Sequence, residues 1–219
     1  MKKVIIFDID GTLVDTNWLH TKAWQEAFGQ FGTEVDALDV LSQIGRSSDD
    51  IIAKFMGHNA SIDVKEQIRD SYRRIYGNLA KDAKGFPKVR ELFTKLRAMG
   101  KRIVLASSAK EKVVNSNIDL VGIRGLIDGV ITSSKVKKSK PDPEIFDLAL
   151  AVVEGNPSEA VVVGDSAWDM EAARTLGIAP VGVLTGGIPE NVLKKAGAIA
   201  VYRDIEELYK ELDSSPLCT

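Results

Sequence analysis

Four short polar segments carry side chains whose types and spacing suit chemistry on an anionic ligand. They read Asp8-Ile9-Asp10-Gly11-Thr12, Ser107-Ser108, Lys140-Pro141 and Gly164-Asp165-Ser166-Ala167-Trp168-Asp169. Asp8 and Asp10 are two residues apart and therefore point the same way in an extended chain. Asp165 and Asp169, if helical, form a like-charge pair four residues apart, which is unfavourable unless a cation lies between them. This concentration of acids predicts a metal site.

The ligand chemistry of these segments favours Mg²⁺. Every candidate ligand is an oxygen, and the four segments contain no histidine or cysteine, which disfavours zinc and copper. A phosphoryl dianion beside ionised carboxylates would be repelled unless Mg²⁺ and Lys140 offset the charge. Single segments also have plain structural explanations: Asp165 or Ser166 could cap a helix, and Lys140 could belong to a solvated basic loop. These explanations account poorly for the acids as a group.

Buried strands are predicted to bring the four segments together. Residues 4–7, 103–106 and 160–163 are apolar throughout, which is typical of parallel strands covered by helices on both faces. Weaker runs at 130–132 and 181–184 extend the sheet, and helical patterns lie between successive strands. The sequence thus predicts a doubly wound parallel α/β sheet, in which ligands bind at the carboxyl ends of the strands.

One long stretch departs from this alternation. Residues 16–84 contain several helical patterns and no strand-like run, which is too much chain for one crossover helix. We predict an α/β core domain of residues 1–15 and 86–219 and an all-α cap domain of residues 16–85, over the carboxyl ends of the strands. His20, Trp24 and Arg46 lie on segments that could face the site. Packing within the cap is the favoured explanation for Trp24 and an equal alternative for His20.

Composition disfavours several classes of partner. The 29 basic and 31 acidic side chains give a formal net charge of −2, so no electrostatic attraction to nucleic acid or anionic lipid is expected. The apolar runs fall far short of the ~20 residues that span a bilayer. Cys218, the only cysteine, leaves no internal disulfide, and Asp8 interrupts the N-terminal apolar run too early for a secretory segment. We expect a cytoplasmic monomer or weak homodimer that binds a small molecule.

In order and spacing, the four segments resemble the four motifs of the haloacid dehalogenase superfamily. The first reads Asp8-Ile9-Asp10-Gly11-Thr12-Leu13-Val14-Asp15; a serine follows the second strand, Lys140 precedes Pro-Asp-Pro, and the last motif is Gly164-Asp165-Ser166-x-x-Asp169. The helical insertion is similar to the superfamily's C1-type cap. Within the superfamily the pattern resembles the phosphatases, including phosphoglycolate phosphatase-like enzymes, because dehalogenases and phosphonate hydrolases differ at the position of Asp10.

This resemblance implies a Mg²⁺-dependent phosphomonoesterase that acts on a small phosphorylated metabolite through an aspartyl-phosphate. Asp8 would be the nucleophile, because a carboxylate is ionised at neutral pH and needs no base. Asp10 would protonate the leaving oxygen and then take a proton from water, which requires its pKa to be raised.

The resemblance also assigns ligands. Mg²⁺ would be held by Asp8, by the backbone carbonyl of Asp10 and by Asp165, with Asp169 in support. The phosphoryl group would be bound by Ser107, the adjoining Ser108 and Lys140. His20 and Arg46 are the candidates in the cap for substrate contacts.

Two alternatives of other classes remain. A sugar phosphomutase of the β-phosphoglucomutase type would use the same scaffold, but those that this chain resembles carry an arginine in a Gly-x-Ser-Arg loop. Here the stretch reads Gly45-Arg46-Ser47-Ser48, with serine in place of that arginine. A non-catalytic phosphate-binding or receiver-like signalling module also combines acids, a hydroxyl and a lysine. In receivers, however, the phosphate acceptor ends a later strand.

Overall fold

The computed structural model describes residues 2–57 and 60–219, so residue 1 of the predicted core and residues 58 and 59 of the predicted cap lie outside it. Its strands are β1 Val4–Phe7, β2 Val14–Asp15, β3 Lys84–Gly85, β4 Arg102–Ser107, β5 Gly129–Thr132, β6 Ala160–Gly164, β7 Ala179–Val183 and β8 Ala200–Tyr202. Six of them form a parallel sheet in the order β5-β4-β1-β6-β7-β8. The predicted doubly wound α/β fold is confirmed.

Helices connect and cover these strands. The α-helices are α1 Asn17–Gly29, α2 Ala37–Leu41, α3 Ser48–Met56, α4 Ile62–Leu79, α5 Val89–Ala98, α6 Glu111–Val121, α7 Glu144–Val152, α8 Ala167–Thr175, α9 Glu190–Ala196 and α10 Ile205–Lys210. Short 3₁₀ helices occupy Ala80–Asp82, Arg124–Leu126, Pro157–Glu159, Leu184–Gly186 and Leu212–Ser214. Among the described residues, none of these helices has the length and apolar character needed to cross a membrane.

Burial on both faces explains why β1 is apolar throughout. Ile5 and Phe7 belong to a core cluster that includes α5, with the Phe7 and Phe93 rings 4.7 Å apart between centroids. Val4 and Ile6 face the opposite way, into a cluster that includes Phe146 of α7. Since successive side chains of a strand alternate between faces, both sets must be apolar.

The register aligns the carboxyl ends of the three central strands. Phe7 of β1 pairs with Leu105 of β4 and with Val163 of β6. The residues that follow these positions are Asp8, the serines at 107 and 108, and Asp165. The sheet therefore brings three of the four polar segments to one edge, as the sequence predicts.

The helices α1–α4 occupy the segment between β2 and β3, here called the helical insert (residues 16–83). The strands β2 and β3 pair antiparallel, with Val14 opposite Gly85, so both ends of the insert leave the sheet domain side by side. The insert has its own apolar cluster, which contains Trp24, Phe28 and Ile68. The helical patterns of the sequence correspond to α1, α3 and α4, whereas α2 was not predicted.

Candidate active site

Three buried carboxylates meet at the carboxyl ends of β1 and β6. Asp8, Asp165 and Asp169 each offer an oxygen, and these oxygens all lie within 4.8 Å of one another. Asp165 precedes α8 rather than lying within it, so Asp165 and Asp169 are not the helical pair considered from the sequence. Ser166 caps this helix, and its backbone and side chain donate hydrogen bonds to Asp169 Oδ2 at 3.2 and 2.5 Å.

Lys140 is the cation of this cluster. Its Nζ lies 2.7 Å from Asp8 Oδ1 and 2.7 Å from Asp169 Oδ1, and it also donates a hydrogen bond to the carbonyl of Ala106 at 3.1 Å. Burial disfavours the charged ammonium, but Asp169 and Asp8 outweigh this and raise the pKa of Lys140 above its ordinary value. Lys140 therefore belongs to the site and not to a solvated loop.

One positive charge does not neutralise three buried carboxylates. Burial raises the pKa of Asp165 to about 7, with a further contribution from Asp169, although hydrogen bonds from Thr12 and Asn17 oppose the shift. Burial likewise raises the pKa of Asp8, which Lys140 offsets in part. Ionisation of these carboxyls is costly in the absence of a further cation.

The donor set suits a hard cation. All three carboxylates offer oxygen ligands, and their mutual repulsion would be relieved by a divalent ion. Gly186 lies directly against the Asp165 carboxylate: a Cβ at residue 186 would lie 1.8 Å from Asp165 Oδ2. Thr12 Oγ1 and Asn17 Nδ2 each donate to Asp165 at 2.8 Å and fix its orientation. The arrangement can hold a metal ion between β1 and β6.

Asp10 lies outside the group of three clustered carboxylates. Its Oδ1 accepts hydrogen bonds from Thr16 at 2.8 Å and Asn117 at 3.2 Å, and lies 3.3 Å from His20 Nε2. Its Oδ2 accepts a hydrogen bond from Ser107 at 3.3 Å. The Asp10 side chain is thus held by the insert, β4 and α6.

The pKa of Asp10 differs from the sequence expectation. Burial alone would raise it, but the interaction with His20 and the hydrogen bonds from Thr16 and Ser107 outweigh burial and lower the pKa below its ordinary value. The expectation of a raised pKa is wrong for the protein without substrate, because these donors stabilise the carboxylate.

The remaining predicted residues lie near the site but differ in availability. Ser107 Oγ accepts a hydrogen bond from the Ala109 amide at 3.1 Å while it donates to Asp10. Ser108 Oγ donates to the carbonyl of Gly45 at 2.6 Å, so its hydroxyl ties the sheet edge to the insert. His20 Nδ1 lies 2.7 Å from the Tyr72 hydroxyl, and His20 thereby links Asp10 to α4.

Arg46 packs against the sheet domain. Its guanidinium carbon lies 5.0 Å from the centre of a Trp168 ring, and its Nη2 lies 3.3 Å from Asp50 Oδ1. Trp168 Nε1 donates to the carbonyl of Ser42 at 2.9 Å, and Ser139 donates a short hydrogen bond to Asp50. No role for Trp168 was predicted from the sequence. In the structure its hydrogen bond to Ser42 holds the insert against the carboxyl ends of the strands.

A cavity of about 1410 Å³ lies between the insert and the strand ends. Asp8, Asp10 and Lys140 line one side. Aromatic side chains of the insert line another, where Trp24 stacks on Tyr72 at 3.9 Å between ring centroids and His20 stacks on Tyr76 at 4.0 Å. The cavity thus joins the carboxylate site to an aromatic wall.

Several of these residues were not predicted. Thr16 and Asn17 directly follow the first motif. Two polar side chains in this position could have indicated that they contact the acids of the site, as they do in the structure. Asn117, Tyr72 and Tyr76 lie in ordinary helical patterns, and nothing in their spacing points to Asp10.

The fold and this arrangement define a class of enzyme. Residues 5–183 match the family of haloacid dehalogenase-like hydrolases, and the chain belongs to that family. Its relatives identify it more closely as a phosphatase of this family.

Three similar proteins illustrate the relationship. Pyrophosphatase PpaX of Bacillus velezensis is 34% identical over 82% of this chain and 82% of its own length. A Thermotoga maritima protein named phosphorylated carbohydrates phosphatase is 28% identical over 94% of this chain and 96% of its own. The crystal structure of a hydrolase from Pseudomonas syringae superposes with a TM-score of 0.91 at 28% identity, covering 97% of this chain and 99% of that one.

One relative is much longer than this chain. An Arabidopsis thaliana protein is 32% identical over 92% of this chain, which spans only 19% of that protein's length. The same domain thus also occurs within a much larger chain.

Proposed function

We propose that the protein is a Mg²⁺-dependent phosphomonoesterase that forms a phosphoryl intermediate on Asp8. The observation that carries this proposal is the position of Asp8: its carboxylate lies 2.7 Å from the buried Lys140 ammonium and within 4.8 Å of two further carboxylates. A nucleophile so placed meets a transferring phosphoryl group in a site where a cation and Lys140 can offset its charge.

The first half-reaction transfers the phosphoryl group. Asp8 attacks phosphorus, the bond from phosphorus to the ester oxygen breaks, and Asp10 gives its proton to the departing alcohol. Lys140 stabilises charge on the phosphoryl oxygens, with support from Ser107. A bound Mg²⁺ would be held by Asp8, Asp165 and the carbonyl of Asp10, and would neutralise charge on the transferring group.

The second half-reaction returns the enzyme to its starting state. Asp10, now a carboxylate, takes a proton from water while the water oxygen attacks phosphorus, and Asp8 is released with inorganic phosphate. The interaction with His20 and the hydrogen bonds from Thr16 and Ser107, which lower the pKa of Asp10 in the protein without substrate, keep this carboxylate ionised and so able to accept a proton. For its role as an acid, Asp10 must be protonated in the substrate complex, where the phosphoryl dianion favours the neutral carboxyl.

The helical insert is proposed to be the cap that excludes water from this reaction. The division into a core of residues 1–15 and 86–219 and a cap of residues 16–85 places the β2–β3 pair at the junction. Contacts such as Trp168 with Ser42 would hold the cap closed. The cytoplasmic location and the monomeric or weakly dimeric state stay predictions.

Hydrolysis is preferred to mutase activity. A mutase must hold a second phosphate in the cap, but Arg46 is paired with Asp50 and lies on Trp168, and Ser48 belongs to α3. Phosphorus NMR of β-glucose 1-phosphate with a trace of the 1,6-bisphosphate separates the two activities. Glucose 6-phosphate that appears faster than inorganic phosphate would refute this preference.

The proposed function is tested by measuring phosphate release from a panel of small phosphate monoesters. Pyrophosphate is added to the panel because one relative is named a pyrophosphatase. Activity should require Mg²⁺, disappear with a chelator and return with excess Mg²⁺. Asp8→Asn is the matched control, since it keeps the shape of the side chain but removes the nucleophile. Normal turnover by Asp8→Asn would exclude the covalent mechanism, and full activity in excess chelator would exclude the metal.

A further inference from the structure

One phenol in the wall of the cavity has no hydrogen-bond partner. Tyr76 of α4 is only 5% exposed, and its hydroxyl is buried without a partner among the described residues. Buried tyrosine hydroxyls usually have one, because desolvation without a hydrogen bond is costly. The Tyr76 ring stacks on His20 at 4.0 Å, and both side chains line the cavity with Asp10. An unsatisfied polar group therefore lies close to the acid-base carboxylate.

The neighbouring tyrosine shows the contrast. Tyr72, one turn earlier on α4, contacts His20 Nδ1 through its hydroxyl at 2.7 Å. The position of the Tyr72 hydroxyl is thus explained by contacts within the protein. The Tyr76 hydroxyl has no hydrogen-bond partner among the described residues. Of the two hydroxyls it is therefore the one that can still form a hydrogen bond with a ligand.

The charges of the insert favour a neutral ligand group at this place. Its three cavity-lining arginines are already in ion pairs with carboxylates of the insert: Arg46 with Asp50, Arg69 with Asp49 and Glu66, and Arg73 with Asp70. A second phosphate would have to compete with those carboxylates. A hydroxyl needs no compensating charge, and the partly exposed ring of Tyr72 offers apolar surface in the same cavity to the carbon skeleton of an alcohol.

We propose that the Tyr76 hydroxyl hydrogen-bonds a hydroxyl of the leaving alcohol, so that Tyr76 selects phosphate monoesters of small polyols and sugars. This inference rests on the proposed function and specifies its substrate class. In this role Tyr76 binds the leaving group next to Asp10, which protonates the ester oxygen. An ester whose alcohol has no further hydroxyl leaves Tyr76 unsatisfied and loses that interaction.

The proposal is tested by measuring the wild-type enzyme and the Tyr76→Phe variant on each of two esters. Glycerol 3-phosphate carries a hydroxyl next to the ester, and n-propyl phosphate has the same carbon chain without one. We expect Tyr76→Phe to lower kcat/KM for glycerol 3-phosphate about tenfold more than for propyl phosphate. The melting temperature should not fall, because the lost hydroxyl has no partner in the protein.

Two other tyrosine variants serve as comparisons. Tyr209 lies on α10, away from the cavity, so Tyr209→Phe should leave kcat/KM unchanged for both esters. Tyr72→Phe removes the partner of His20 and should affect both esters equally, because Asp10 serves both.

Each contrary result has its own meaning. An equal effect of Tyr76→Phe on the two esters, or no effect on either, would overturn the inference, as would a clear fall in melting temperature. Activity on p-nitrophenyl phosphate shows whether the proposed function itself holds. Absence of phosphate release from all three esters by the wild-type enzyme would refute that function and this inference with it.

Discussion

The metal-free protein should lose stability as the pH rises from 5 to 8. Asp165 has a pKa of about 7 in the folded protein against an ordinary value of 3.8. The folded state therefore holds a proton that the unfolded state has released between these two values. Stability is highest at the acidic end of this range and falls until the pH passes about 7, where folded Asp165 ionises as well.

The size of the effect follows from the difference between the two pKa values. Each unit corresponds to about 1.4 kcal/mol, so ionisation of buried Asp165 costs about 4 kcal/mol in full. Of this, about 3 kcal/mol falls between pH 5 and 8. Asp8 contributes with the same sign, because its pKa is also raised by burial. Lys140 contributes nothing in this window, since its pKa lies above its ordinary value.

Urea denaturation at pH 5, 6, 7 and 8, in chelator and in Mg²⁺, measures this loss. Asp165→Asn is the control: it cannot ionise, so the difference between the two proteins measures the titration of Asp165 together with its effect on the pKa of neighbouring Asp8. Bound Mg²⁺ should abolish the loss, because it favours the ionised carboxylates. A metal-free wild type whose stability stays level, or a variant with the same pH dependence, would refute the electrostatic account of the site.

Three further substitutions test the architecture of the site. Lys140→Met should lower the free energy of unfolding of the metal-free protein by about 3–5 kcal/mol, because it leaves buried carboxylates unpaired. In the same urea titration, Lys138→Met on the surface should cost less than about 1 kcal/mol, and equal losses would contradict the assignment. Gly186→Ala places a Cβ 1.8 Å from Asp165 Oδ2 and should weaken Mg²⁺ binding in calorimetry; unchanged affinity would place the ion elsewhere. Trp168→Phe keeps a ring beside Arg46 but loses the bond to the insert and should lower kcat/KM about fivefold. Kinetics identical to wild type would show that this contact does not hold the insert.

Apolar runs and motif order were sufficient for the sheet and for three of the four acids expected to cluster, Asp8, Asp165 and Asp169. β1, β4 and β6 are buried on both faces, so their sequences admit few other structures. The weaker signals were less precise: the run predicted at 181–184 is a strand at Ala179–Val183, and β2, β3 and β8 were not predicted. These three strands have two or three residues each, too few to establish a period.

The environment of Asp10 could not be predicted, because it depends on how the insert packs against the sheet domain. Spacing suggested that Asp8 and Asp10 act together. In the structure Asp8 joins the cluster of three carboxylates, whereas Asp10 accepts hydrogen bonds from Thr16 of the insert and Asn117 of α6. No local pattern places those donors beside Asp10, and its lowered pKa follows from His20 and from the hydrogen bonds of Thr16 and Ser107.

The start of α1 makes the two junctions of the insert unequal for protein engineering. Thr16 and Asn17 hold Asp10 and Asp165, and His20 lies against Asp10 one turn later. On the return side, Lys84 and Gly85 are exposed and pair with β2 through the backbone. A chimera that exchanges the insert between relatives should therefore be joined after His20 at one end and at β3 at the other. A graft begun at residue 16 would replace partners of both carboxylates together with the specificity it was meant to transfer.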